Sequence, residues 1–173
     1  FNTSFVGTFS QGLFKSTDGF DSFTNVINGN TIADVIVSAS DTNIVLVSEG
    51  EMDFSNAYIK RSTDGGSTYT VVNNLAVNRL TFNTSNNDTV YAATFNGVYR
   101  SVDFGTTWDP WVLGGTTILS LGHNNNTLYA GTSDGILYKI VGGNVTNVSG
   151  NWNTPVQIKS IYQTGNNLFV GLN

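Results

Sequence analysis

The chain has 173 residues with a formal net charge of −5, and only 11% of its residues are charged while 39% are hydrophobic and 19 are glycine. That length suits one domain with a hydrophobic core, and seven Lys plus Arg spread thinly form no basic stripe for phosphates, which argues against nucleic acid and anionic membrane surfaces. Cysteine is absent, which excludes disulfides and thiolate metal sites, and no apolar run approaches the roughly 20 residues of a membrane span. The chain begins at Phe1 without Met or a leader pattern, which reads as a trimmed chain or a fragment.

In chain order, the segment FVGTFSQGLFKS runs from Phe5 to Ser16, and a looser copy runs from Leu46 to Ser62. YAATFNGVYRS follows from Tyr91 to Ser101, then YAGTSDGILYKI from Tyr129 to Ile140, and FVGLN begins at Phe169. Taking Phe5, Leu46, Tyr91, Tyr129 and Phe169 as equivalent, the spacings are 41, 45, 38 and 40 residues. A fixed period of about 40 residues is the size of one four-stranded propeller blade. Within each period apolar and polar residues alternate between clusters of Gly, Asn and Asp, the pattern of short antiparallel strands rather than helices. In the best repeat the pattern predicts an inner strand at Val77 to Phe82, a second at Thr89 to Ala93, a third at Val98 to Ser101 and an outer one at Trp108 to Val112. Asn96-Gly97 and Asp134-Gly135 mark hairpin turns. The repeats fall at approximately 1–30, 31–75, 76–115 and 116–155, with a partial copy at 156–173, in one domain spanning 1–173.

Where a third strand gives way to a fourth stand STDGFDSF (Ser16 to Phe23), STDGGSTY (Ser62 to Tyr69) and SVDFGTTW (Ser101 to Trp108). This pattern resembles the Asp-box or BNR repeat, Ser-x-Asp-x-Gly-x-Thr-Trp, of sialidases, sortilin-type receptors, xyloglucanase-type glycoside hydrolases and photosystem II assembly propellers. The third copy matches every defined position and the second departs only at Tyr69, while the first carries Phe20, Ser22 and Phe23 for Gly, Thr and Trp; the fourth repeat, VGGN after Ile140, has lost the motif. The resemblance implies an all-β fold: a β-propeller of four-stranded antiparallel blades with Asp-box turns, about four of them present and belonging to a larger propeller completed by further chain or by other chains. Its structural residues are then Ser16, Asp18, Ser62, Asp64, Gly66, Ser101, Asp103, Gly105 and Trp108. Their expected role is conformational: Asp accepts backbone N–H groups in its own turn, Gly takes a left-handed backbone, and Trp108, Tyr69 and Phe23 pack between sheets.

The links between second and third strands lie on the opposite face, which in the resembled family is the binding face. There the second repeat carries extra residues in SEGEMDFSNA, Ser48 to Ala57, with Glu49, Glu51 and Asp53 at alternate positions. Three such carboxylates could bind Ca²⁺ or sugar hydroxyls, while the plainer reading of the same residues is a solvated acidic loop. Trp152, in the link from Ser149 to Pro155, maps to the same face, to stack on a sugar or to fill a gap between blades. Lys15, Arg61, Arg100 and Lys139 recur once per blade and read as a solvated edge that blocks sheet pairing. His123, in HNNN, reads as a surface residue of a turn.

A sialidase grips its substrate carboxylate with three converging arginines, and Arg61, Arg79 and Arg100 are the only arginines here, two of them at the repeated position. About six glycosylation sequons, among them those at Asn83, Asn87 and Asn125, match the roughly five expected by chance. The expectation is a non-catalytic structural or binding module at an extracellular, cell-surface or virion surface, with a glycan or protein as ligand and neither cofactor nor metal assigned. The alternative is a segment of a glycoside hydrolase whose active site lies partly outside these residues.

Overall fold

The structure, a computed structural model, describes residues 3–50, 56–151, 156–165 and 167–173. Among the described residues the alternating pattern forms 17 strands in five antiparallel sheets, with no helix. The chain divides into two compact units, Phe1–Val77 and Asn78–Asn173.

In the first unit, β1 (Ser4–Gly7), β2 (Gly12–Ser16) and β3 (Thr24–Asn28) form a three-stranded meander, and β4 (Ile32–Val37), β5 (Val45–Glu49), β6 (Tyr58–Ser62) and β7 (Thr70–Asn73) a four-stranded one. Leu13 and Ile27 of the first sheet meet Ile32, Val45 and Val47 of the second, with Phe5, Val26, Val35 and Tyr69 around them. The contact is close because Gly7 has no side chain: a Cβ there would sit 2.7 Å from Ile32 Cγ2. The strands are also tied by the Ile32 N–H, which donates to Thr8 O at 2.9 Å.

In the second unit, β8 (Val77–Phe82), β9 (Val90–Thr94), β10 (Gly97–Ser101) and β11 (Asp109–Val112) form a sheet whose only residue outside the unit is Val77. The sequence pattern places all four of these strands to within a residue at either end. Next come β12 (Ile118–Asn124), β13 (Thr127–Thr132), β14 (Leu137–Val141) and β15 (Asn144–Asn147), then the pair β16 (Ile158–Thr164) and β17 (Asn167–Leu172). Tyr91, Ala93 and Val98 pack against Ile118, Leu121, Leu128, Ala130 and Ile140; Leu137 packs against Ile158 and Ile161. Gly131, equivalent in the repeat to Gly7, again sits where a side chain would collide with the next sheet, here at Ile158. Ser120 Oγ donates to Ile158 O at 2.8 Å, so the seam carries a buried hydrogen bond as well as apolar contact.

Each sheet follows its predecessor in chain order and buries side chains on the face it shares with a neighbour in its unit, so stability comes from these seams. Ile140 is 1% exposed and lies within one of them. Ile140→Ala is expected to cost about 2–5 kcal/mol in urea unfolding. A loss below about 1 kcal/mol would mean that the seam does not pack as described.

Candidate functional site

The three aspartate turns share one hydrogen-bond pattern. Two successive residues adopt left-handed backbone, with φ of 79° and 79° at Gly19 and Phe20, 68° and 78° at Gly65 and Gly66, and 57° and 78° at Phe104 and Gly105. This bend turns amide N–H groups inward, where they need acceptors. Ser101 Oγ donates to Asp103 Oδ1 at 2.7 Å and accepts the Gly105 N–H at 2.9 Å. Asp103 Oδ1 also accepts the N–H groups of Thr106 and Thr107, at 3.0 and 2.9 Å, while Oδ2 takes the Thr107 hydroxyl at 2.7 Å. Ser62 and Asp64 repeat the pattern with Gly66, Ser67 and Thr68. Ser16 and Asp18 repeat it with Phe20 and Ser22.

Donors aimed at a carboxylate favour its ionised form. The Ser22 hydroxyl, the Ser22 N–H and the Ser16 hydroxyl hold Asp18 down to about 2. Asp64 is held well below the usual carboxylate range, first by the Thr68 hydroxyl and then by the Thr68 N–H and Ser62. For Asp103 the largest influence is burial, which alone would raise its pKa; the donors from Thr107, Ser101 and Thr106 together outweigh it, and the net shift is downward.

The aromatic that closes each turn differs in a way the donor inventory explains. Trp108 Nε1–H donates to Gly105 O at 3.0 Å, and the ring is buried immediately before β11 rather than within it. Tyr69 fills the equivalent place, but its buried Oη has no hydrogen-bond partner among the described residues. Burial, and then the Asp64 charge, push its phenol up. Phe23 is exposed and tilts against Phe20, ring centroids 6.0 Å apart. Phe20, 60% exposed, holds the left-handed conformation of Gly66 and Gly105 although it has a Cβ.

The candidate ligand residues are not brought together. Glu51, Asp53 and Trp152 lie outside the described residues. Glu49 is the last residue of β5 and 2% exposed, not part of an open loop. It pairs with Lys60 on β6 and accepts from Asn30 Nδ2. The repeat contains the signal for this: aligning VLVSE with YAAT and YAGT puts Glu49 at the place of Thr94 and Thr132, both buried.

The repeated cations also differ from the edge reading. Lys15, Arg61, Arg100 and Lys139 stand on β2, β6, β10 and β14, third strands that are paired on both sides. Arg100 lies over the Trp111 ring, 5.2 Å from its centroid. Trp111 stacks on Tyr91 at 5.0 Å, and Tyr91 on His123 at 5.6 Å. His123 is therefore a buried strand residue, because the turn after β12 is made by Asn125 and Asn126, with φ of 46° and 63°. Its Nδ1 accepts the Thr84 N–H at 3.1 Å, which places the ring proton on Nε2.

Sequence reading also passed over two exposed side chains. Phe9, in the hairpin from β1 to β2, is 65% exposed, and Phe95, in the hairpin from β9 to β10, is also exposed. Both hairpins are closed by threonine: Thr8 Oγ1 donates to Gly12 O and Thr94 Oγ1 to Gly97 O, each at 2.8 Å. The polar locks keep each phenylalanine at the tip, and the repeated Thr-Phe pair in TFSQG and TFNG was their sequence signature. Among the described residues no group of three or more His, Cys, Asp or Glu could hold a metal ion. Among the described residues no helix is long and apolar enough to cross a membrane.

Successive antiparallel sheets of up to four strands, each a meander whose last strand leads to the first strand of the next, are propeller blades, and the chain is similar to solved β-propellers. An ancestral GH74 enzyme superposes with a TM-score of 0.81 at 23% identity, covering 99% of this chain and 27% of that one. The GH74 xyloglucanase from Xanthomonas campestris gives 0.72 at 15% identity, with coverage of 92% and 31%. YCF48 bound to D1 peptide gives 0.72 at 14% identity, with coverage of 99% and 59%. The chain thus spans between about a quarter and three fifths of these relatives' length, and the likeness defines the fold alone. No protein-family model matches the chain, and no curated protein matches it in sequence.

Two outcomes follow from the site geometry. Left-handed backbone costs a residue with a Cβ about 1–2 kcal/mol. Phe20→Gly is therefore expected to raise stability by roughly 1 kcal/mol, less what its contact with Phe23 contributes, whereas Gly66→Ala, whose Cβ would lie 2.5 Å from Phe5 Cε1, is expected to lower it. Denaturant melts of the two variants test the contrast. Burial pulls His123 down to about 4 from 6.5. Its folded value is depressed, so the stability it contributes is full above pH 6.5 and drains as pH falls toward 4. It is the chain's single histidine, so a loss of stability between pH 6.5 and 5 in the wild type that is flattened in His123→Gln identifies it.

Proposed function

We propose that this chain is a non-catalytic binding or structural module, a propeller domain of the Asp-box type spanning 1–173 within a larger propeller. The observation that carries the reading is the use made of its conspicuous acids. Asp18, Asp64 and Asp103 spend their oxygens on their own turns, and Glu49 is enclosed with Lys60 and Asn30. Among the exposed aromatic side chains, Phe9 and Phe95 stand at the tips of polar-locked hairpins and suit a protein or peptide surface better than a reacting bond. A propeller of similar fold is known bound to a peptide. A surface whose polarity comes from Asn, Ser, Thr and Gly favours an extracellular, cell-surface or virion location, with a glycan as the other ligand class.

A binding screen of the native protein against peptide and glycan arrays is expected to return a ligand whose affinity falls about tenfold or more on Phe9→Ala or Phe95→Ala, the loss of an anchor side chain. A ligand indifferent to both substitutions would overturn the role given to the hairpin tips. The second reading, a segment of a glycoside hydrolase, is favoured by the superposition on GH74 enzymes. Polysaccharide hydrolysis by the intact protein, abolished by replacing Glu51 or Asp53, would put it first.

A further inference from the structure

The enclosed carboxylate of Glu49 is more than a satisfied buried acid. Alternation along β5 puts Glu49 on the same face as Val45 and Val47, which pack against Leu13 and Ile27 of the first sheet. Lys60 is directly opposite Val47 in the β5–β6 register, so its side chain leaves the strand on that face and reaches Glu49 diagonally. Asn30, in the link between β3 and β4, brings its carboxamide to the other oxygen of the same carboxylate. One acid therefore touches a primary amine with one oxygen and a carboxamide with the other, in a seam between two sheets that excludes water on its apolar side.

We propose that Lys60 and Asn30 become joined through an isopeptide bond formed within this seam, with Glu49 as the acid–base group. The amine proton passes from Lys60 Nζ to Glu49 Oε2, which discharges both groups, as apolar surroundings favour. The freed lone pair attacks Asn30 Cγ. Both side chains rest on one carboxylate, which holds amine and carboxamide as neighbours; attack requires Nζ and Cγ to come within about 3–3.5 Å, which rotation of the two side chains about that carboxylate has to supply. Glu49 gives its proton to the carboxamide and takes back a proton from Nζ as the new C–N bond forms. The Cγ–Nδ2 bond breaks and Nδ2 leaves as ammonia, which carries away the proton Lys60 began with as ammonium. No oxidant, reductant or cofactor is consumed. The product ties the link before β4 to β6 and adds a covalent fastening to a seam otherwise held by apolar packing and hydrogen bonds.

The test is the intact mass and peptide map of the folded, full chain. The wild type is expected to fall short of its sequence mass by one ammonia, with the Asn30 and Lys60 peptides recovered as one branched species. Lys60→Arg keeps a cation on Glu49 but removes the nucleophile, and Glu49→Gln keeps the shape but removes the acid; both are expected at full sequence mass with separate peptides. Cyclisation at Asn28-Gly29 would also expel ammonia, but it joins no peptides, so the branched species decides. Folded wild type at full mass with the two peptides separate overturns the proposal, even where a variant fails to fold. A branched peptide that persists in Glu49→Gln overturns the role given to Glu49. This inference is independent of the binding reading, since it concerns a bond within one seam and no ligand.

Discussion

Every backbone N–H turned inward where a third strand ends must find an acceptor, and in three blades a serine hydroxyl and one carboxylate supply the acceptors together. The sharp bend to the fourth strand needs two left-handed residues in a row, and that bend strands several donors at once. A serine relay and an aspartate collect them in the same geometry three times over, around Asp18, Asp64 and Asp103. The outer strand can leave at a fixed angle only because this debt of unpaired amides is settled locally. The same arrangement explains why these acids stay ionised and why they are poorly suited to proton transfer. A carboxylate whose oxygens are occupied by donors has little tendency to pick up a proton.

A second constraint sits on the second strands, where the blade must let its neighbour in. Gly7, Ala93 and Gly131 occupy one position of the repeat, and Ser48 takes that place in the second blade. At Gly7 and Gly131 a Cβ would meet the neighbouring inner strand. The next position holds Thr8, Thr94 and Thr132, whose hydroxyls close short hairpins. In the second blade the hairpin is longer and glutamate replaces threonine, so a charge enters an interior position and brings Lys60 and Asn30 with it. The scaffold thus separates its tasks, with packing on the small residues, closure on the hydroxyls and exposure at the hairpin tips.

Much of this was legible because the repeat supplies its own register. Once Phe5, Leu46, Tyr91, Tyr129 and Phe169 are aligned, strand bounds follow from alternation and turn residues, and the turn aspartates follow from their spacing to serine and threonine. What escaped reading depended on the precise residue at which a turn falls or on contacts made in three dimensions. His123 looked like part of HNNN, yet the bend is taken by Asn125 and Asn126, which leaves the imidazole paired opposite Leu128 inside the sheet. Glu49 was grouped with the acids after it, although its place in the repeat already marked it as interior. The cations at Lys15, Arg61, Arg100 and Lys139 precede a turn and so read as an edge, but the strand beyond that turn pairs back, so their strands are interior to each sheet while the side chains stay partly or fully exposed. Phe20 adopts a glycine's conformation, which composition gives no reason to expect.

Because the side chains of the relay serine and the aspartate in each turn bond to nothing more than four residues away, each blade carries its own fastening within its own stretch of chain. Such a unit can be duplicated in a gene and still close correctly, whatever stands beside it. It can also decay by itself: the fourth copy has exchanged the motif for a tight bend at Gly142 and Gly143, and its sheet still has four strands. A fold assembled from such cassettes tolerates wide divergence outside the turn, because each copy keeps the bonds that set its own bend.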